Sequence, residues 1–330
     1  MTGWLEVRKH LRDNRHALAV AAAGDYPDVP QIAGLLTDPR WRPAAPIPLS
    51  AVDIVMAPTP PVRLPAAPGD PAYASYSAAM STLDAPTVFE NRPTWRLTDA
   101  DLAGPKPRLV FGDGTYFQSI DTGEAAAHEY AAAELRGSPT PLRDAVGNPC
   151  VLTNRPANMA VSALTVRRDP AGDTFLLHWR DPAKVGHAGG LYQVVPVGVF
   201  QSAGGGILGD FDLWRFMLRE YAEELLGAPE VEAPDYDTWP FAVAMTEALR
   251  DGRITAHCLG LGVDPLTFAT DLLVSVVIDA PVFDELFGAW VSVNDEGAVT
   301  SRPFTVDATA GLPMQAAGAA LMRLALAARA

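Results

Sequence analysis

The sequence predicts an α/β or α+β chain, with helices packed on the faces of one central sheet. Three observations predict it. Short alternating or continuous apolar runs recur between residues 162 and 279. Segments with apolar residues at spacings of three and four lie among them. Breaker-rich stretches separate the two kinds of element. Strands and helices intermixed in this way bury their apolar faces as a layered sandwich. With 330 residues, 48% of them hydrophobic, the chain has the material for a sizeable core and the length for two domains.

In chain order, residues 4–23 carry Leu5, Leu11, Leu18 and Val20 among polar neighbours and read as an amphipathic helix. Residues 57–72 are Pro-rich and read as extended. RLVFGDGTYFQSID (108–121) reads as a hairpin, because alternating apolar residues flank Asp113-Gly114. Residues 123–136 form an Ala-rich helix whose Glu124, His128 and Glu129 share a face expected to be solvated. Residues 137–149 are the densest in breakers and mark the boundary between an N-terminal α+β region, 1–150, and a second unit, 151–330. The first region is poor in clear regular elements, and its Pro-rich stretch is long enough to wrap the second. A shared core is therefore expected.

The second half is more regular. SALTVRR (162–168) and TFLLHWR (174–180) are strands around a DPAGD turn, and GLYQVVPVGVF (190–200) is strand-like. SAGGGILG (202–209) is a Gly-rich loop leading into a helix numbered from Asp210. Residues 240–252 form a helix ending at Gly252, 253–265 and 270–279 are strands, and 314–329 is a closing helix.

The formal net charge of -14 disfavours nucleic acid and anionic membranes as partners, since the long-range field repels phosphate. A small anion is still compatible, because a bound divalent cation inverts the field locally. The two cysteines, Cys150 and Cys258, have no metal-like spacing. The first residues do not read as a signal peptide, and no apolar run reaches the ~18 residues of a membrane span. The expected compartment is the cytoplasm.

The helix after the Gly-rich loop carries the chemistry. Phe211, Trp214, Leu218, Tyr221 and Leu225 form one stripe, expected to face the core. Glu220, Glu223 and Glu224 are related as i, i+3 and i+4 and lie on another face, beside Arg219. Like charges at that spacing repel, and anions near a helix C-terminus oppose its dipole. An exposed charged face is one explanation of the cluster. A hard divalent cation, Mg²⁺ or Mn²⁺, is the other, because it takes several carboxylate oxygens.

R-E-Y-A-E-E-L-L-G (219–227) resembles the second half of the Nudix box, G-x5-E-x7-R-E-U-x-E-E-x-G-U, where U is aliphatic. Arg219, Glu220, Glu223 and Glu224 match its R-E-U-x-E-E core. The preceding strand pair, the Val195-Pro196-Val197-Gly198 element and the Gly-rich loop are similar to the family's approach to its box helix. The resemblance covers about residues 151–330. It extends to a group of actinobacterial proteins with Nudix-like C-terminal halves. It implies an α/β/α sandwich with a mixed sheet, here with an N-terminal α+β extension. The pattern departs from the family at four places. The upstream Glu falls at Phe211, between Asp210 and Asp212. The box Gly falls at Gly205, or at Gly198 if the loop is longer. The closing Gly shifts to Gly227, and Tyr221 replaces an aliphatic residue.

The resemblance implies that Glu220, Glu223 and Glu224 hold Mg²⁺ or Mn²⁺. Glu220 or Glu224 would also polarise the attacking water, and Arg219 would tie the loop to the helix. Arg180 and Lys184 are the expected phosphate contacts, together with Gly198. Arg167 and Arg168 alternate on a strand, so only one of them could join these two. His187 reads as a surface residue, His178 as a satisfied half-buried one, and His257 and Cys258 have no partner spacing. The expected function is metal-dependent hydrolysis of a diphosphate linkage in a nucleoside-diphosphate derivative or related metabolite. The alternative is a non-catalytic Nudix-like sensor of a phosphate-containing small molecule. The N-terminal half would shape the pocket or form a homodimer interface.

Overall fold

The computed structural model describes all residues except 1, 66–71, 87–88, 182–188, 205–208, 230–231, 289, 291–292, 294–296 and 330. The strands are β1 (Gln31–Ile32), β2 (Leu35–Leu36), β3 (Ile47–Pro48), β4 (Asp53–Met56), β5 (Pro93–Asp101), β6 (Arg108–Thr115), β7 (Met159–Arg168), β8 (Thr174–Arg180), β9 (Tyr192–Val194), β10 (Val197–Val199), β11 (Ile254–Val263), β12 (Thr270–Asp279) and β13 (Gly297–Pro303). The main helices are α1 (Thr2–Gly24), α2 (Tyr76–Leu83), α3 (Ala125–Arg136), α4 (Pro141–Val146), α5 (Leu213–Leu226), α6 (Pro240–Arg250), α7 (Ala280–Phe287) and α8 (Ala316–Ala327).

The larger sheet runs β1-β2-β11-β12-β7-β8-β13, with β3 on β11, β9 on β8 and β10 on β7. β7 and β12 are parallel, and the other pairings in this sheet are antiparallel. A smaller sheet, β4-β6-β5, lies beside it. The fold is therefore α+β with a mixed sheet.

Alternation along β7 explains the layers. Met159, Val161 and Ala163 face a core with Leu218, Tyr221 and Leu225 of α5 and Phe283 of α7. Leu164 and Val166 face the other way, onto Ala317, Leu321 and Ala325 of α8. The first core also takes in Trp4, Trp41, Leu49, Trp95 and Phe111 from the N-terminal half. β1, β2 and β3 join the larger sheet through β11, so the first 48 residues supply part of its edge. Among the described residues no helix is long and apolar enough to cross a membrane.

The expected strand over 190–200 is two strands. Pro196 has no N–H to give a ladder, and the chain breaks there into β9 and β10. As a result β7 exchanges partners along its length. Ala160–Ser162 pair with β10, whereas Val166 and Arg167 pair with β8.

Three expectations are corrected. Asp113-Gly114 is not a hairpin turn: β6 runs through it, paired with Trp95 and Thr94 of β5. Its glycines serve close packing instead. A Cβ on Gly112 would lie 2.1 Å from Thr59 Oγ1, and one on Gly114 would lie 3.0 Å from Arg96 Cβ. The face of Glu124, His128 and Glu129 is buried, not solvated. Glu124 receives hydrogen bonds from Arg8 and Arg15, and Glu129 caps α4 by accepting from the N–H groups of Leu142 and Arg143. His178 is fully buried rather than half-buried, because it faces α5 on an inner strand.

Candidate functional site

The site is built from the start of α5 outward. Asp212 is its N-cap, accepting from the Arg215 N–H at 2.8 Å. Gly227 closes it in the left-handed region, at φ 64°. Leu218, Tyr221 and Leu225 are buried as the stripe predicts, while Phe211 and Trp214 are half-buried against the same core. The Tyr221 hydroxyl bonds to Thr165 Oγ1 at 2.8 Å, which fixes α5 against β7.

With α5 locked this way, its charged residues diverge. Arg219 turns back along the chain and donates to the Gln201 carbonyl at 2.8 Å, tying the helix to the segment after β10. Glu224 is buried; its Oε1 accepts from the Val197 N–H at 2.6 Å, and its Oε2 lies 3.6 Å from His178 Nδ1. Glu220 and Glu223 remain half-buried and line a cavity of about 470 Å³.

The cavity lies where β7 changes partners. Gly198 and Arg180 line it, so four of the residues singled out in the sequence come together: Glu220, Glu223, Arg180 and Gly198. Glu224 and Arg219 are not on its wall. Lys184, His187 and Gly205 lie outside the described residues. Arg167 pairs with Asp284 and Asp169, and Arg168 with Asp279, so neither belongs to the site.

The acids flanking the family's upstream Glu position are committed elsewhere. Asp210 is buried and accepts from the Ser202 hydroxyl at 2.6 Å and the Ala203 N–H at 2.8 Å. Phe211 itself packs against Trp95 and Phe111, with ring centroids 5.1 and 5.6 Å away. Among the described residues, no group of three His, Cys, Asp or Glu side chains is set to hold a metal. Mg²⁺ commonly takes one or two carboxylates and completes its shell with water and substrate phosphate.

Much of the wall comes from residues that sequence reasoning passed over. A π-helical turn, Ile120–Glu124, supplies Ile120, Thr122, Gly123 and Glu124. Such turns recur at functional sites. Gly123 is required there, since a Cβ would lie 2.2 Å from the Thr267 carbonyl oxygen. Asp271 is buried on the wall and accepts from the Ser162 hydroxyl at 2.8 Å. Among the described residues Gln193 Nε2, Gln315 Oε1 and Asn158 Oδ1 are buried without hydrogen-bond partners, and all three residues line the cavity. Two signals were available in the sequence. The polar cluster NRPAN (154–158) precedes an apolar strand, and Asp271 is a charge inside one.

Arg155 is on the wall as well. Burial pushes its guanidinium down to about 10, with the neighbouring Arg96 acting in the same direction. Burial raises both Cys150 and Cys258 to about 12, the direction that disfavours a thiolate. No protein-family model matches the chain, and no curated protein matches it.

Proposed function

We propose that the chain binds a phosphate-bearing small molecule in this cavity and, with Mg²⁺ or Mn²⁺, hydrolyses its diphosphate linkage in the manner of a Nudix enzyme. The observation that carries the reading is the shared wall: Glu220 and Glu223 of the R-E-Y-A-E-E segment line the same cavity as Arg180 and Gly198. The divalent ion would be held by Glu220 and Glu223, and when bound it would neutralise phosphate charge and activate a water. Arg180 would donate to phosphate oxygens. Glu220 would take the proton of the attacking water. Glu224 would act as a positioning residue, holding Val197 and with it Gly198. Arg219 would fix the opposite end of β10 through Gln201.

One observation favours the second reading, a non-catalytic sensor of the same ligand. The acids beside the upstream position, Asp210 and Asp212, are both used to build the loop and the helix cap. A panel of nucleoside-diphosphate derivatives separates the readings. Phosphate or monophosphate release that needs Mn²⁺ and is lost in Glu220→Gln supports hydrolysis. Tight calorimetric binding without release supports the sensor. Neither binding nor release for any compound would remove both.

A further inference from the structure

We propose that Arg155 anchors a second anionic group of the cavity's ligand, a phosphoryl or carboxylate group held on the opposite side of β7 from Arg180. The proposal rests on the cavity being the ligand site, and does not depend on hydrolysis.

Arg155 is 1% exposed and is one of the residues that line the cavity. All its partners are neutral. Nε donates to the Pro149 carbonyl at 2.9 Å, Nη2 to Thr270 Oγ1 at 2.8 Å, and Nη1 to the Pro156 carbonyl at a long 3.4 Å. A guanidinium has five N–H donors, so hydrogens remain to be satisfied. Among the described residues no carboxylate pairs with it. Arg96 beside it is in the same condition: it is buried, its Nη groups donate to the carbonyls of Pro60 and Arg155, and its Nε has no partner.

The contrast with the other end of the chain is informative. Arg8 and Arg15 are equally buried, and both reach Glu124, at 2.9 and 3.0 Å. That is the usual solution, since a buried charge is costly unless it is paired. Among the described residues the Arg96–Arg155 pair has no such counter-charge, and Arg155 lines the cavity. Of the buried carboxylates on the same wall, Glu124 accepts from Arg8 and Arg15, and Asp271 accepts from the Ser162 hydroxyl. The missing charge is therefore one that a ligand would bring.

Arg155 and Arg180 also stand at different places on the wall. Thr270, which orients Arg155, opens β12 on one side of β7, while Arg180 ends β8 on the other. A ligand touching both must carry anionic groups far enough apart to span β7, as a diphosphate with a further acidic substituent does.

The test uses the full chain in EDTA, so that metal chemistry plays no part. Inorganic pyrophosphate, too short to span β7, is titrated calorimetrically into Arg180→Met, and into Arg180→Met combined with Arg155→Met or with Arg155→Lys. The expected result is that adding Arg155→Met to Arg180→Met lowers affinity about tenfold or more, with partial recovery when Arg155→Lys is added instead. Wild-type crystals soaked in tungstate should place the anion within hydrogen-bond distance of Arg155. That measurement decides the matter if Arg155→Met does not fold. Tungstate seen at Arg180 alone, or pyrophosphate affinity unchanged when Arg155→Met is added to a folded Arg180→Met, would overturn the proposal and leave the ligand-site reading intact. Absence of either anion from the whole cavity would overturn both.

Discussion

The carboxylate of Glu220 occupies the space that a side chain at position 198 would need. A Cβ built on Gly198 would lie 2.1 Å from Glu220 Oε2 and 2.3 Å from its Cδ. The backbone at Gly198 is ordinary β-strand, paired with Val161, so glycine is there for the neighbour and not for its own conformation. Gly198→Ala should therefore fold, because the clash is with the end of a flexible side chain. It should, however, push Glu220 out of place. The expected outcome is a melting temperature within a few degrees of wild type with Mn²⁺-supported turnover strongly reduced. Equal loss of both would mean that Gly198 serves the sheet alone.

The order of effects among the acids of α5 tests the register of the box. Glu220→Gln keeps shape and hydrogen bonding but removes the proton acceptor, and should cost about 10²- to 10⁴-fold in rate. Asp212 is the helix N-cap, so Asp212→Asn should be nearly silent. Asp212→Ala should lose ~1 kcal/mol of stability with little change in turnover. Steady-state rates and urea midpoints for the three variants check this, and the reverse order would place the chemistry at Asp212.

His128 makes stability depend on pH. Burial, then the charge of Arg8, push its ring down to about 3 from 6.5. It stacks on Trp4 and meets the Tyr76 hydroxyl at 3.3 Å. The folded protein keeps this ring neutral, whereas the unfolded chain protonates it below about 6.5. The unfolded state then binds the extra proton, so stability falls as pH drops from about 6.5 toward 3. The slope from this one group is at most ~1.4 kcal/mol per pH unit. His128→Gln should remove about one proton from the pH dependence of the urea midpoint, and identical slopes in both proteins would contradict the assignment.

Glu124 should matter for folding before it matters for the cavity. Arg8 and Arg15 both donate to it in the interior, so Glu124→Leu leaves two buried guanidinium groups short of their carboxylate. The expected loss is about 3–5 kcal/mol in urea unfolding. A loss under ~1 kcal/mol would mean that the charges are already screened by solvent.

How far the sequence could be read depended on how local each interaction is. TFLLHWR is β8 at the expected residues, because alternation over seven residues needs no knowledge of the rest. The R-E-Y-A-E-E helix was legible for the same reason, and two of its glutamates do reach a cavity. Arg155 was not, since its environment is made by Thr270, 115 residues away. Glu124 was misread because α1 covers it from the far end of the chain. Asp113-Gly114 was misread because turn chemistry and close packing both call for glycine, and only the neighbouring strands tell them apart.

The seam between β2 and β11 sets the order in which this chain can mature. Leu36 pairs with Val263, the Thr37 hydroxyl donates to the Leu261 carbonyl 224 residues away, and Gly262 leaves room for the Leu35 side chain. At ordinary rates of synthesis, roughly 10–45 s pass between the emergence of these two segments from the ribosome. During that interval Leu35 and Leu36 have no β11 to pair with. The apolar side chains at this seam stay uncovered in the nascent chain until β11 arrives.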